Sequence, residues 1–231
     1  MKRKWAGAFG VGIVLGAITL ATVGKTAPLE QDDYYTNHSL GCILLKECTD
    51  GVEEVLSVKT ISSRYENPSR YDVIQNEFHS MLISLSTVGV KVYIADERYF
   101  PVGHRGVYHT VGNNFFLNDA YMGRPGTLMS VMRHEGWHAA QDCMAGSINN
   151  SMIAIIMPEE SVPPLWAEMA TRTYKHMPEA IPWEKEATWA GKTQGMTQKA
   201  LKSCAKGTMW SDYEPTPLTR EWLVKNGYLA N

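Results

Sequence analysis

Two histidines four residues apart, His134 and His138, with Glu135 directly after the first, constrain this chain more than any other feature. On an α-helix, residues at that spacing project from one face about one turn apart. Both imidazoles can then reach a single Zn²⁺ at about 2.0–2.1 Å. Glu135 emerges beside the first histidine, where its carboxylate can take a proton from water activated by that cation. The pattern assigns two ligands and one general base, and it requires a helix. Leu128, Val131, Met132, Trp137 and Ala139 supply the apolar positions of that helix, which starts near Thr127 and ends near Gly146. Gly136 disfavours it by about 1 kcal/mol relative to Ala, and suits close packing instead.

A catalytic zinc needs a third protein ligand and an open position. The remaining donors are carboxylates on later helices: Glu184, Glu186 and Glu168. Glu186 lies nearer the helix face of Trp183 and Ala190. Other chemistries lack their signatures. There is no GxSxG and no GxxxxGK[ST], and the glycine-rich stretch falls in the apolar N-terminus. A di-iron carboxylate site needs a second ExxH beside Glu135-x-x-His138, and none is present. A formal net charge of −2 leaves no electrostatic footprint for nucleic acid.

Around the motif the pattern is α+β. Val73, Ile74, Phe78, Met81, Leu82 and Leu85 recur at three and four, predicting a helix over 71–85. Val90 to Ala95, Gly106 to Val111 and Asn114 to Leu117 read as short strands. Beyond the motif, helices are expected over 165–174, 182–191 and 196–205, with a last one from Thr216 to about Asn226. Ser151 to Met157 is a short apolar segment without a clear period. The expected layout is a small mixed sheet packed on the motif helix, followed by a mostly helical C-terminal part.

The N-terminus is of another kind. Lys2, Arg3 and Lys4 precede a charge-free run from Ala6 to Gly24, 19 residues long. That order and length match a signal-anchor helix or a secretory signal, with the basic end in the cytoplasm. Residues 1–27 are therefore read as signal or anchor, 28–55 as a linker or N-terminal extension, and 56–231 as the functional domain. The domain then lies outside the cytoplasm, in the cell envelope, or is secreted if the segment is cleaved. An even cysteine count in an oxidising compartment suggests two disulfides. Of three possible pairings, Cys42–Cys48 closes a short loop and Cys143–Cys204 ties the end of the motif helix to a later helix.

The segment His134 to His138, with a later glutamate on a helix, resembles the gluzincin branch of HExxH zinc metallopeptidases. Gln141 and Met144 stand where the metzincin pattern would place a glycine and a third histidine. In the gluzincin branch the third ligand commonly opens an ExxA or ExxS run, and Glu184-Lys185-Glu186-Ala187-Thr188 fits, which ranks Glu184 above Glu186 and Glu168. Thr188 departs from the usual Asp or Asn. The run from His134 to Asp142 is also similar to that of uncharacterised envelope metallopeptidases with an HExxHxxQD-like segment. The resemblance implies a zincin-like fold, one Zn²⁺ per chain, a peptide or protein substrate and membrane attachment through the N-terminal helix. It also implies an edge strand, here within 106–117, that pairs with extended peptide. Tyr174, His176 and His109 are the candidate transition-state stabilisers. The implied activity is zinc-dependent peptide-bond hydrolysis. The alternative is a catalytically silent zincin-fold binding or structural protein of the envelope.

Overall fold

The structure is a computed structural model that describes residues 29–146, 152–213 and 224–225. The expected N-terminal signal or anchor helix lies outside these residues. So does the helix expected from Thr216, apart from 224–225. No helix among the described residues is long and apolar enough to cross a membrane.

The described strands form one mixed sheet. They are β1 (Val52–Glu54), β2 (Lys91–Ala95), β3 (Gly106–His109) and β4 (Asn114–Asn118), ordered β1-β2-β4-β3. β2 and β4 run parallel, and the outer strands pair antiparallel. Side chains alternate between two faces, as a pleated strand requires. Val92, Ile94, Phe115 and Leu117 enter the main core. Tyr93, Ala95, Phe116 and Val107 face the other way.

That second face corrects the reading of 28–55 as a linker. Helix α1 (Asn37–Leu44) covers it, burying Leu40, Ile43 and Leu44 against Tyr99, Phe100 and Phe116. Thr36 caps α1 by accepting from the backbone N–H groups of His38 and Ser39, which satisfies donors that a helix start leaves open. The three apolar residues recur at i, i+3 and i+4, a helical stripe embedded among polar and turn residues. β1 then joins the sheet, so the segment is part of the folded unit.

Helix α2 (Val58–Ser62) and a 3-10 turn (Pro68–Ile74) lead into α3 (Gln75–Thr87). The helix expected over 71–85 thus begins as a 3-10 turn, and Val73 in the expected stripe is exposed. The motif lies on α4 (Pro125–Met144), the central helix, buried on nearly every side. Pro125 occupies its first turn, where a missing N–H costs nothing, so α4 starts two residues ahead of expectation. Then follow α5 (Pro164–Thr173), α6 (Ile181–Lys192), α7 (Met196–Lys206) and α8 (Met209–Tyr213). Residues 152–157 form neither helix nor strand. Arg133 clamps α4 to α3 through two hydrogen bonds of 2.7 Å to Glu77. A side chain at Gly136 would meet Thr197 of α7 at 3.0 Å, so the glycine that weakens the helix admits its neighbour.

Both expected disulfides are present, Cys42–Cys48 and Cys143–Cys204. The second joins α4 to α7 across 61 residues of chain. Loop-closure entropy predicts about 4 kcal/mol of stabilisation for a loop of that length and about 2 for the shorter one. Replacing Cys143 and Cys204 with Ser is expected to lower the melting temperature more than replacing Cys42 and Cys48, as calorimetry of the two double variants will report.

Candidate metal centre

α4 presents His134 and His138 on one face, and α6 lies antiparallel across that face. Gly191, near the end of α6, sits against Ser130 and His134. Trp183, near its start, accepts from Gln141 through its backbone carbonyl at 3.1 Å. Glu184 is thereby carried over both histidines. His134 Nε2 is 3.2 Å from Glu184 Oε2, and His138 Nε2 is 3.5 Å from Oε1. The two Nε2 atoms are 3.3 Å apart. One donor atom from each residue falls within 4.8 Å of the others, so His134, His138 and Glu184 form a group that could hold a metal ion.

The donors fit a divalent cation on a second ground. Glu184 Oε2 is buried and accepts no hydrogen bond of acceptable geometry, although His134 Nε2 stands 3.2 Å away. The side chains of His134, His138 and Glu184 keep 19%, 12% and 14% of their exposure. The group is therefore neither sealed, as structural zinc sites are, nor on the open surface.

Without a cation, charge holds the group together. Burial works against an imidazolium at His134, yet Glu184, Glu135 and the Ala187 carbonyl outweigh it and raise the ring to about 9. Burial also works against the Glu184 carboxylate, but His138 and His134 hold it down at about 2. A metal bound there would take over the role of that proton.

Glu135 is buried beside the triad, and burial raises its pKa against the pull of both histidines. The Tyr108 backbone N–H of β3 donates to its carboxylate. β3 comes this close because residue 106 is glycine. A Cβ there would meet Val131 at 2.8 Å and the Glu135 Cγ at 3.2 Å. β3 is an edge strand, and the Arg105 carbonyl accepts from the Asn118 N–H. Antiparallel alternation then turns the backbone groups of Gly106 and Tyr108 away from β4, toward the site.

The other expected residues separate cleanly. Tyr174, at the end of α5, has its phenol against Glu184; burial first, then Glu184 and Glu135, push its pKa up. His176 is exposed, and no contact among the described residues brings it to the triad. His109 closes β3 beside the turn at Gly112, and burial and Lys46 lower its pKa. It is not part of the metal-binding group. Glu168 is exposed and pairs with Arg172 along α5.

Glu186 has a different task from the one considered for it. It is buried, and it accepts from Trp137 Nε1 at 3.1 Å, Gln141 Nε2 at 2.9 Å, the Ile156 N–H at 3.0 Å and the Met157 N–H at 2.8 Å. These donors occupy its oxygens, and it is not part of the His134–His138–Glu184 group. Gln141 in turn places Oε1 at 2.8 Å from His138 Nδ1, fixing the ring so that Nε2 faces Glu184. Sequence reasoning missed this support. Its one signal was the three-residue spacing of His138 and Gln141 on a helix.

A buried pair lies one turn further along α4. Tyr108 donates to Asp142 Oδ2 at 2.8 Å, while Oδ1 has no partner. Burial pushes the Asp142 carboxyl up from 3.8 to about 8, against the hydrogen bond from Tyr108. The folded chain then binds more protons than the unfolded one between those values, so stability falls as pH rises across that window. Asp142→Asn is expected to match wild type in thermal melts at pH 4 and to melt several degrees higher at pH 9. Equal melting temperatures at both values would show an ionised Asp142 that costs nothing.

No family model, curated protein or solved structure matches the chain. Fold and site together define an α+β protein in which the central helix and α6 form a candidate His-His-Glu metal centre beneath an edge strand.

Proposed function

We propose that this protein is a zinc-dependent peptidase of the gluzincin kind, held at or released beyond the cell membrane, that hydrolyses peptide bonds with Glu135 as general base. One observation carries the reading. Two imidazoles four residues apart and a carboxylate from another helix converge, with a second carboxylate beside them that is not part of the group. Two nitrogen donors and one oxygen donor suit Zn²⁺ with one position left open.

Zinc bound there supplies a Lewis acid that acidifies water and polarises a carbonyl. The chain's own residues do the rest. Glu135 takes the proton of the attacking water, and its raised pKa suits it to pass that proton to the leaving amine. Tyr174, neutral at physiological pH, offers a hydroxyl donor beside Glu184 for negative charge developing on the substrate. The outward backbone groups of Gly106 and the outward carbonyl of Tyr108 hold an extended peptide by strand pairing. Two disulfides agree with an oxidising compartment outside the cytoplasm.

The test is metal analysis of purified full-length protein together with cleavage of a broad peptide library. About one zinc per chain is expected, with cleavage that stops on chelation and returns with zinc. Zinc-loaded protein that cuts nothing would favour the silent binding protein, and metal-free protein in zinc-containing medium would end both readings.

A further inference from the structure

A cleft at the start of β3 is left unused by the metal centre. It encloses about 450 Å³, and its lining includes Arg70, Arg105, Arg124, Tyr121 and Thr127. The arginines come from three places: the 3-10 turn before α3, the residue preceding β3, and the N-cap of α4. Among the described residues none of the three forms a salt bridge with a carboxylate. Arg105 lies 5.6 Å from the Tyr121 ring centroid, a contact that positions its charge without neutralising it. Asp119, the nearby acid, is taken by Arg64 and Tyr65. Glu66 lines a neighbouring cleft of about 260 Å³ that shares Arg70. Three guanidinium groups around one concavity repel each other, and planar forks of this kind match carboxylate oxygens in pairs.

Its place relative to the metal centre gives the cleft a purpose. Arg105 directly precedes Gly106, the β3 residue that lies against Val131 and Glu135. Thr127 lies one turn before Val131 and two before His134, about 10 Å along the helix. A peptide paired antiparallel to β3 passes Gly106 with its C-terminal side running toward Arg105. About 10 Å of extended chain is roughly three residues.

Resting on the peptidase reading, we infer that this cleft is a subsite for a carboxylate borne by the substrate about three residues downstream of the cleaved bond. That carboxylate is an Asp or Glu side chain, or the C-terminus of a short peptide. The enzyme would then select acidic sequences or trim near chain ends.

The experiment uses full-length protein and one cleavable peptide in four forms: free C-terminus at the third downstream residue, its amide, and longer amides with Glu or Lys at that residue. A carboxylate form is expected to be preferred at least tenfold in kcat/KM, through KM, and the preferred form names the source. Arg105→Gln with Arg124→Gln collapses that ratio toward one. Arg105→Glu turns the preference toward Lys, a gain that misfolding cannot produce. A wild-type enzyme indifferent to charge, or a preference that survives the double variant, overturns the subsite. Calorimetry of the same peptides on Glu135→Gln protein separates this outcome from failure of the peptidase reading. Carboxylate-selective binding that needs Arg105 upholds the cleft even where nothing is cleaved, and binding without selectivity, or none, rejects it.

Discussion

Glu135→Gln is expected to keep the protein's zinc at about one per chain while lowering peptide turnover by roughly 10²–10⁴, the range that a positioned general base contributes. The separation follows from geometry. Glu135 is outside the group formed by His134, His138 and Glu184, so removing its charge leaves every proposed ligand in place. The amide oxygen of a glutamine can still accept from the Tyr108 N–H. Folding is also preserved, because the variant removes a buried negative charge whose desolvation already raises its pKa. Stopped-time cleavage assays and metal analysis on one preparation read both quantities. A variant that loses zinc would make Glu135 a ligand, and one that keeps its turnover would deny it the role of base. His138→Ala gives the contrasting pattern, with metal and activity lost together.

Glu186→Gln, on the same helix as a proposed ligand but two residues on, is expected to act first on folding. The carboxylate receives hydrogen bonds from two side chains and two backbone amides, all in the interior. An amide in its place points an N–H at one or more of those donors. Buried donors left unsatisfied cost on the order of 1–3 kcal/mol each, so a loss of about 3 kcal/mol and a fall in melting temperature of roughly 6–12 °C are expected. Metal affinity falls too, by about 10–100-fold, because Gln141 loses the acceptor that holds it against His138. A variant folded as tightly as wild type with zinc affinity lost outright would restore Glu186 as a ligand candidate. Glu184→Gln should do the reverse, losing the metal at little cost in stability of the loaded fold's scaffold.

Much of this architecture is legible along the chain because its causes are local. Histidines at i and i+4 share a helix face wherever a helix forms, and the surrounding apolar positions show that one does. The strands around Val92 and Phe116 carry their β-branched and aromatic residues in short runs between turn residues. α1 escaped notice because its stripe of Leu40, Ile43 and Leu44 is brief and interrupted by Gly41 and Cys42. β1 is three residues long, and only its pairing with β2 makes it a strand.

Other features have no local cause. Tyr174 and His176 are two residues apart and equally plausible on paper, and the turn that ends α5 decides which reaches Glu184. The donors to Glu186 come from 29 to 49 residues away in sequence. The arginine cleft gathers residues from 70 to 127.

What the sequence determined by itself was the set of side chains whose spacing along one helix fixes their relative direction: His134, Glu135, His138, and the period of the helix beneath them. What only the tertiary structure decided was which distant groups meet that face, Glu184 as the third member and Glu186 as its support. Spacing on a rigid helix sets relative direction through covalent geometry, whereas which side of α6 is laid against α4 is decided by packing, and packing is a property of the whole fold.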